Sequence, residues 1–141
     1  MQLARGRYLA FIDPDDYYPN EHALALLLQA AERSQKPICG GLFSTVDANG
    51  TIVDSFPEII PHQTIKYEGY CSEAQTQNDY SWIRFIYKRS FIEENNTTFP
   101  ELRWHEDPVF LARAIETAGG CYCILDVVYR YRINHKPAIR T

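Results

Sequence analysis

Two acidic groups define the chemistry open to this chain. The first is Asp13-Pro14-Asp15-Asp16, three carboxylates within four residues. Packed so closely, they repel one another unless a cation or hydrogen-bond donors offset the charge. An all-oxygen ligand set suits a hard divalent ion such as Mg or Mn. The same four residues also make an ordinary polar turn, and residue types alone weigh the two readings evenly. An EF-hand loop is excluded, because Tyr18 stands where Gly is needed and Leu24 where Glu is needed. The second group is Glu106-Asp107, directly ahead of Pro108. At a helix start an acidic residue is by default a cap, worth about 1 kcal/mol or less. Facing the first group, it becomes a general base kept ionised by the helix dipole.

The elements around these groups must position them. Tyr8 to Ile12 is an unbroken, largely apolar run, which predicts an interior strand buried on both faces. Pro14 has no amide hydrogen, so the ladder should stop at Asp13. The carboxylates then sit at the carboxyl end of that strand, where open α/β sheets place their ligands. A helix is predicted from about Pro19 to Arg33, with Ala23, Leu24, Leu27, Leu28 and Ala31 as its apolar face. Pro37 stops any continuation, and Ile38 to Val46 resumes a strand. Asp47-Ala48-Asn49-Gly50 predicts a turn, and Thr51 to Val53 closes a peripheral hairpin.

Residues 55–79 carry Pro57, Pro61 and Gly69 without clear periodicity, and read as an irregular loop with some helix. Trp82 to Tyr87 is a second apolar run, followed by a short helical stretch at Phe91 to Asn95. The next helix opens at Glu106-Asp107-Pro108 and ends at Gly119-Gly120. Cys121 to Tyr131 is the last strand, ahead of a basic tail.

Composition narrows the class further. A chain of 141 residues fits a single α/β domain with a real core. The formal charge of −4 and the absence of a Lys/Arg stripe argue against nucleic acid as a partner. No apolar run approaches the roughly 20 residues of a transmembrane segment. MQLARGR is not a secretory signal, so the expected location is cytoplasmic, with reduced thiols. Cys121 and Cys123 should face one side of their strand, but with Cys39 and Cys71 they lack the paired spacing of a zinc site. Packing as small hydrophobes is the favoured role for them.

ARGRYLAFIDPDDYY resembles the acidic-loop region of glycosyltransferase family 2. IYKRSFIEENNTTFPELRWHEDPVFLARA is similar to that family's acceptor-side segment, with its E-D pair opening a helix, and VVYRYRINHKPAIRT resembles its Y-Y-Y-R tail. The resemblance spans Ala4 to the C-terminus, with the motifs in the family's order. It implies a GT-A, Rossmann-like α/β/α sandwich with a mostly parallel mixed sheet. It implies a nucleoside-diphosphate sugar as donor and a glycan or lipid-linked acceptor, as in cell-surface polysaccharide synthesis at the inner face of a membrane. It implies Mn or Mg held by Asp15 with Asp13, and Asp13 and Asp16 as donor-binding carboxylates. Asp107 takes the place of the catalytic base, with Glu106 as the neighbour able to share that role. Arg132 and His135 fall where the family reaches the diphosphate or acceptor.

The chain departs from the family in starting just before the acidic loop. The half that clasps the nucleotide base is expected to be missing, leaving a truncated catalytic domain that is weakly active or inactive alone. An apolar sheet edge would then be exposed, favouring a homo-oligomer. Two rivals stay open. One is a non-catalytic binding or assembly module with a degenerate transferase fold. The other is a haloacid-dehalogenase-type phosphatase, which also ends an apolar strand in D-x-D, although Asp16-Tyr17 departs from that pattern.

Overall fold

The computed structural model describes residues 1, 3–53, 65–76, 81–104 and 106–133. In chain order the elements are β1 (Tyr8–Ala10), α1 (Ala23–Ser34), β2 (Ile38–Val46), β3 (Ile52–Val53), β4 (Gly69–Cys71) and α2 (Glu73–Thr76). A 3-10 turn (Trp82–Arg84) then leads into β5 (Phe85–Lys88), α3 (Arg89–Glu94), α4 (Glu106–Ala118) and β6 (Cys121–Arg132). The sheet order is β1-β5-β2-β6-β4, with β3 paired to the end of β2.

Alternation along the strands builds three layers. Ile38, Phe85, Tyr87, Cys121 and Cys123 point to one face and pack against Phe110, Leu111, Ala114 and Ile115 of α4. Their neighbours Cys39, Ile86, Ile124 and Val128 point to the other and meet Ala23, Leu27, Ala30 and Ala31 of α1. Each large apolar side chain buried this way contributes about 1.5–3 kcal/mol, which fixes strand register, since a slip of one residue would exchange the faces. The α/β class and the mixed sheet are as expected, but the sheet is not mostly parallel. Its parallel pairing is β2 with β6, whereas β1–β5, β5–β2, β2–β3 and β4–β6 are antiparallel.

Two adjacent glycines let the layers close. Gly40 lies opposite Phe85 across the β2–β5 pair, and a Cβ there would stand 2.3 Å from the Phe85 ring. A Cβ on Gly41 would meet both the Asp126 carbonyl oxygen and the Val128 methyl carbons at 2.8 Å. At this point the β2–β6 register shifts, between Gly40 and Leu42 and again between Leu42 and Phe43.

Several expectations need correction. β1 is three residues long rather than five, and among the described residues it pairs with β5 alone, so it is an edge strand and not an interior one. Only Leu9 of the run is fully buried in the strand, and Ile12, already past it, is 46% exposed. α1 begins at Ala23 and not at Pro19, because the Asn20 carboxamide oxygen accepts the His22 N–H (2.9 Å) in a local turn that competes with helix. Its buried stripe takes in Ala30 and leaves Leu24 exposed. β4 lies within the stretch expected to be irregular, while residues 54–64 and 77–80 of that stretch lie outside the described residues.

Candidate functional site

Asp13 to Asp16 form a β-turn closed by the Asp16 N–H on the Asp13 carbonyl (3.1 Å), with Pro14 at the position where its fixed φ is favourable. The turn reading is therefore correct, and the question becomes where the turn is held. β1 runs in the same direction as β2 and β6, since β1 and β2 both pair antiparallel to β5 and β2 pairs parallel to β6. The turn thus lies at the carboxyl ends of these strands.

The long last strand holds it there. Tyr17 and Arg130 exchange backbone hydrogen bonds, Arg130 N–H to the Tyr17 carbonyl (2.9 Å) and Tyr17 N–H to the Arg130 carbonyl (3.3 Å). The Tyr129 hydroxyl accepts the Asp13 N–H (3.1 Å) and donates to Asp16 Oδ2 (2.9 Å). The Arg132 N–H donates to Asp16 Oδ1 (2.9 Å). Both oxygens of Asp16 are thereby engaged, which makes it a latch between the turn and β6. Burial, followed by the Asp16 and Asp13 carboxylates, pushes the Tyr129 hydroxyl well above the usual phenol range, so it remains a donor. The Tyr131 hydroxyl is also pushed up, by burial first and then by the charges of Asp16, Asp13 and Asp15. That places all three carboxylates in one electrostatic neighbourhood. The Arg132 guanidinium stands 5.1 Å from the Tyr17 ring centroid, beside the same turn.

The second acidic group reaches this place through an aromatic wall. Glu106 and Asp107 occupy the first turn of α4. The Trp82 ring meets Phe110 of α4 edge-on, with centroids 6.2 Å apart. The Trp82 ring packs on Phe11, two residues before Asp13, with centroids 4.7 Å apart. Phe11 also touches Phe110 of α4 edge-on at 5.9 Å, and Phe99 stacks on Phe110 at 4.2 Å. The strand carrying the acidic turn and the helix carrying Asp107 therefore share one wall. Burial, and then the charge of Glu106, raise the Asp107 carboxyl above the usual carboxylate range. A carboxylate so placed is a stronger base than one in water.

Asp13 and Asp15 offer oxygen donors on a fixed turn, a set that fits Mg or Mn. Among the described residues no group of three or more His, Cys, Asp or Glu converges as a metal cluster. Asp13 and Asp15 would be the residues to hold such an ion. His135 lies outside the described residues. A depression of about 530 Å³ lies at the opposite end of β1, beside Arg7, Lys88 and Arg89. Arg7 is paired there with Glu32 and Arg89 with Glu93, each at 2.8 Å. Sequence reasoning missed Tyr129, Tyr131 and Trp82. The spacing of Tyr129 and Tyr131 in β6 was a usable signal, because alternate residues share a face, whereas nothing local marked Trp82.

No family model matches the chain. Among curated proteins it is 27% identical over 137 residues to EpsH of Bacillus subtilis (strain 168), assigned as a glycosyltransferase, covering 95% of this chain and 40% of that protein. It is 26% identical over 135 residues to the poly(ribitol-phosphate) beta-glucosyltransferase of Bacillus spizizenii, covering 95% of this chain and 20% of that protein. Among solved structures it is similar to residues 1–349 of S. aureus TarS in complex with UDP-GlcNAc, with a TM-score of 0.76 and 21% identity. That match covers 96% of this chain and 37% of the TarS chain. The chain thus spans two-fifths or less of each of these proteins. Among the described residues no helix is long and apolar enough to cross a membrane.

Proposed function

We propose that this chain, a homologue of glycosyltransferases, carries the metal-holding and acceptor-side part of an inverting sugar transferase. The donor is a nucleoside-diphosphate sugar and the acceptor a hydroxyl of a glycan or lipid-linked saccharide, as in polysaccharide synthesis. The observation that carries this reading is the shared wall: Phe11, two residues before Asp13, packs on Trp82 and on Phe110 of the helix that opens with Glu106 and Asp107.

In this reading Asp15 and Asp13 hold Mn or Mg, which when bound supplies Lewis-acid stabilisation of the departing diphosphate. Asp16 keeps the turn in place through Tyr129 and the Arg132 amide. The Arg132 guanidinium, beside the turn, offers a further cation to the diphosphate. Asp107 accepts the proton of the acceptor hydroxyl as that oxygen attacks the anomeric carbon, and its raised affinity for protons suits the task. Glu106, next to it, is the alternative base. One displacement with one base inverts the anomeric centre, through a transition state of oxocarbenium character. We infer that the whole chain is one part of a larger catalytic domain, and that by itself it binds donor weakly and turns over little.

Calorimetry with UDP, with and without Mn, tests the reading together with Mn titration by electron paramagnetic resonance. Weak binding of UDP that requires Mn is expected, with Mn affinity reduced about tenfold or more in Asp15→Asn. Mn affinity unchanged in that variant would falsify the ligand role. Hydrolysis of a generic phosphate ester would favour the phosphatase rival, and metal-independent UDP binding the non-catalytic module.

A further inference from the structure

We propose that Tyr129 is a positioning residue whose hydroxyl sets the aim of Asp13 and Asp15 by tying together both ends of the acidic turn. This rests on the sugar-transferase reading of the same site. The turn itself is closed by a single backbone hydrogen bond, from Asp16 to Asp13. A four-residue polar turn with only that closure samples several arrangements, and carboxylates on it would point in several directions.

Tyr129 removes that freedom because one oxygen contacts the first and last residues of the turn at once. It accepts from the Asp13 backbone at 3.1 Å and donates to Asp16 Oδ2 at 2.9 Å. The hydroxyl cannot follow a moving turn, since its ring is fully buried. The ring packs in a small core with Phe43 and Ile83, and meets Tyr18 edge-on at 6.2 Å. β6 is therefore a rigid post, and the Tyr129 oxygen is the point on it against which the turn is located. The Arg132 amide holds Asp16 and the Arg130 backbone holds Tyr17, while the Tyr129 hydroxyl bonds the Asp13 amide itself. Asp13 is fixed from β6 by Tyr129. Metal sites lose affinity when such outer-shell partners are removed, typically about 10–100-fold, even though the ligands themselves are intact.

The test is Tyr129→Phe, which keeps the buried ring and deletes one oxygen. Two readouts are needed on the full chain: amide hydrogen exchange from Asp13 to Tyr17 by NMR, and Mn affinity by electron paramagnetic resonance. Val128→Ala serves as a control, since Val128 is the neighbouring buried residue and packs on the opposite face, against α1. The Phe variant is expected to lose about tenfold in protection at Asp13 beyond any change in global stability, and about tenfold in Mn affinity. The Val128 variant is expected to lose stability while leaving both turn readouts in place. Equal turn exchange in the two variants at matched stability overturns the proposal. Should Tyr129→Phe fail to fold, Asp16→Ala removes the acceptor of the Tyr129 hydroxyl, and amide exchange at Asp13 is read in the same way. A wild-type chain that binds no Mn overturns the transferase reading, while the exchange data still decide whether Tyr129 positions the turn.

Discussion

The ring of Phe11 should be energetically coupled to Trp82, and measuring that coupling is the most direct check on the shared wall. Phe11 makes four ring contacts, to Trp82 at 4.7 Å, Phe99 at 5.7 Å, Tyr87 at 5.8 Å and Phe110 at 5.9 Å. Truncating a fully buried Phe to Ala costs about 3–5 kcal/mol. Phe11 is only half-buried, so about 2–3 kcal/mol is the expected cost of Phe11→Ala. With a urea slope of about 1.5–2 kcal/mol per molar for a domain of this size, the unfolding midpoint should fall by about 1–2 M. The pairwise part needs a double-mutant cycle, Phe11→Leu with Trp82→Leu, which keeps both sites apolar. Aromatic pairs are worth about 0.5–1.5 kcal/mol beyond area, and that is the coupling expected from denaturation curves. A coupling smaller than about 0.3 kcal/mol is what independent sites give. That result would refute the wall, and with it the claim that Asp107 and the acidic turn are held in one frame.

Two further outcomes follow from the ionisable groups. Asp107 has its folded pKa raised, by burial first and then by Glu106, so the folded chain binds that proton more tightly than the unfolded one. Stability from this group is therefore lost as pH rises from the unfolded carboxyl value through the folded one. Asp107→Asn should raise the melting temperature near pH 7 and not below both values, while slowing transfer about 10²–10⁴-fold in any active assembly. Melting curves at pH 3 and pH 7 that differ from wild type in the opposite sense would contradict the assignment. The four cysteines are all buried. Burial pushes the Cys39 thiol up to about 11, and the Cys123 neighbour together with burial pushes Cys71 up as well. A disulfide reagent at pH 8 should leave all four unmodified until urea unfolds the chain. Rapid stoichiometric labelling of the folded protein would rule this out.

Much of the scaffold was legible where strong punctuation brackets a periodic run. Pro37 and Asp47-Ala48-Asn49-Gly50 delimit Ile38–Val46, and Pro108 with Gly119-Gly120 delimits the helix of Glu106. β1 was read too long because an apolar run does not reveal how many of its residues find a ladder partner. Here pairing ends at Ala10 opposite Ile86. Gly69–Cys71 escaped because three residues in a polar stretch carry no period. The acidic turn was visible from composition, and its anchorage was not. Tyr129 lies 113 residues from Asp16, and only tertiary pairing brings such distant groups together. The same holds for Trp82, which read as the start of an apolar run and opens a 3-10 turn, its ring meeting Phe110 of α4.

The paired glycines of β2 have an evolutionary corollary. The three atoms nearest a methyl group on residue 40 all belong to the Phe85 ring, so a lineage can enlarge position 40 if it shrinks position 85 in step. Residue 41 has no such bargain, because its obstacle includes the main-chain oxygen of Asp126, present whatever amino acid stands there. Across homologues, positions 40 and 85 should therefore drift as a correlated pair, while position 41 should stay invariant.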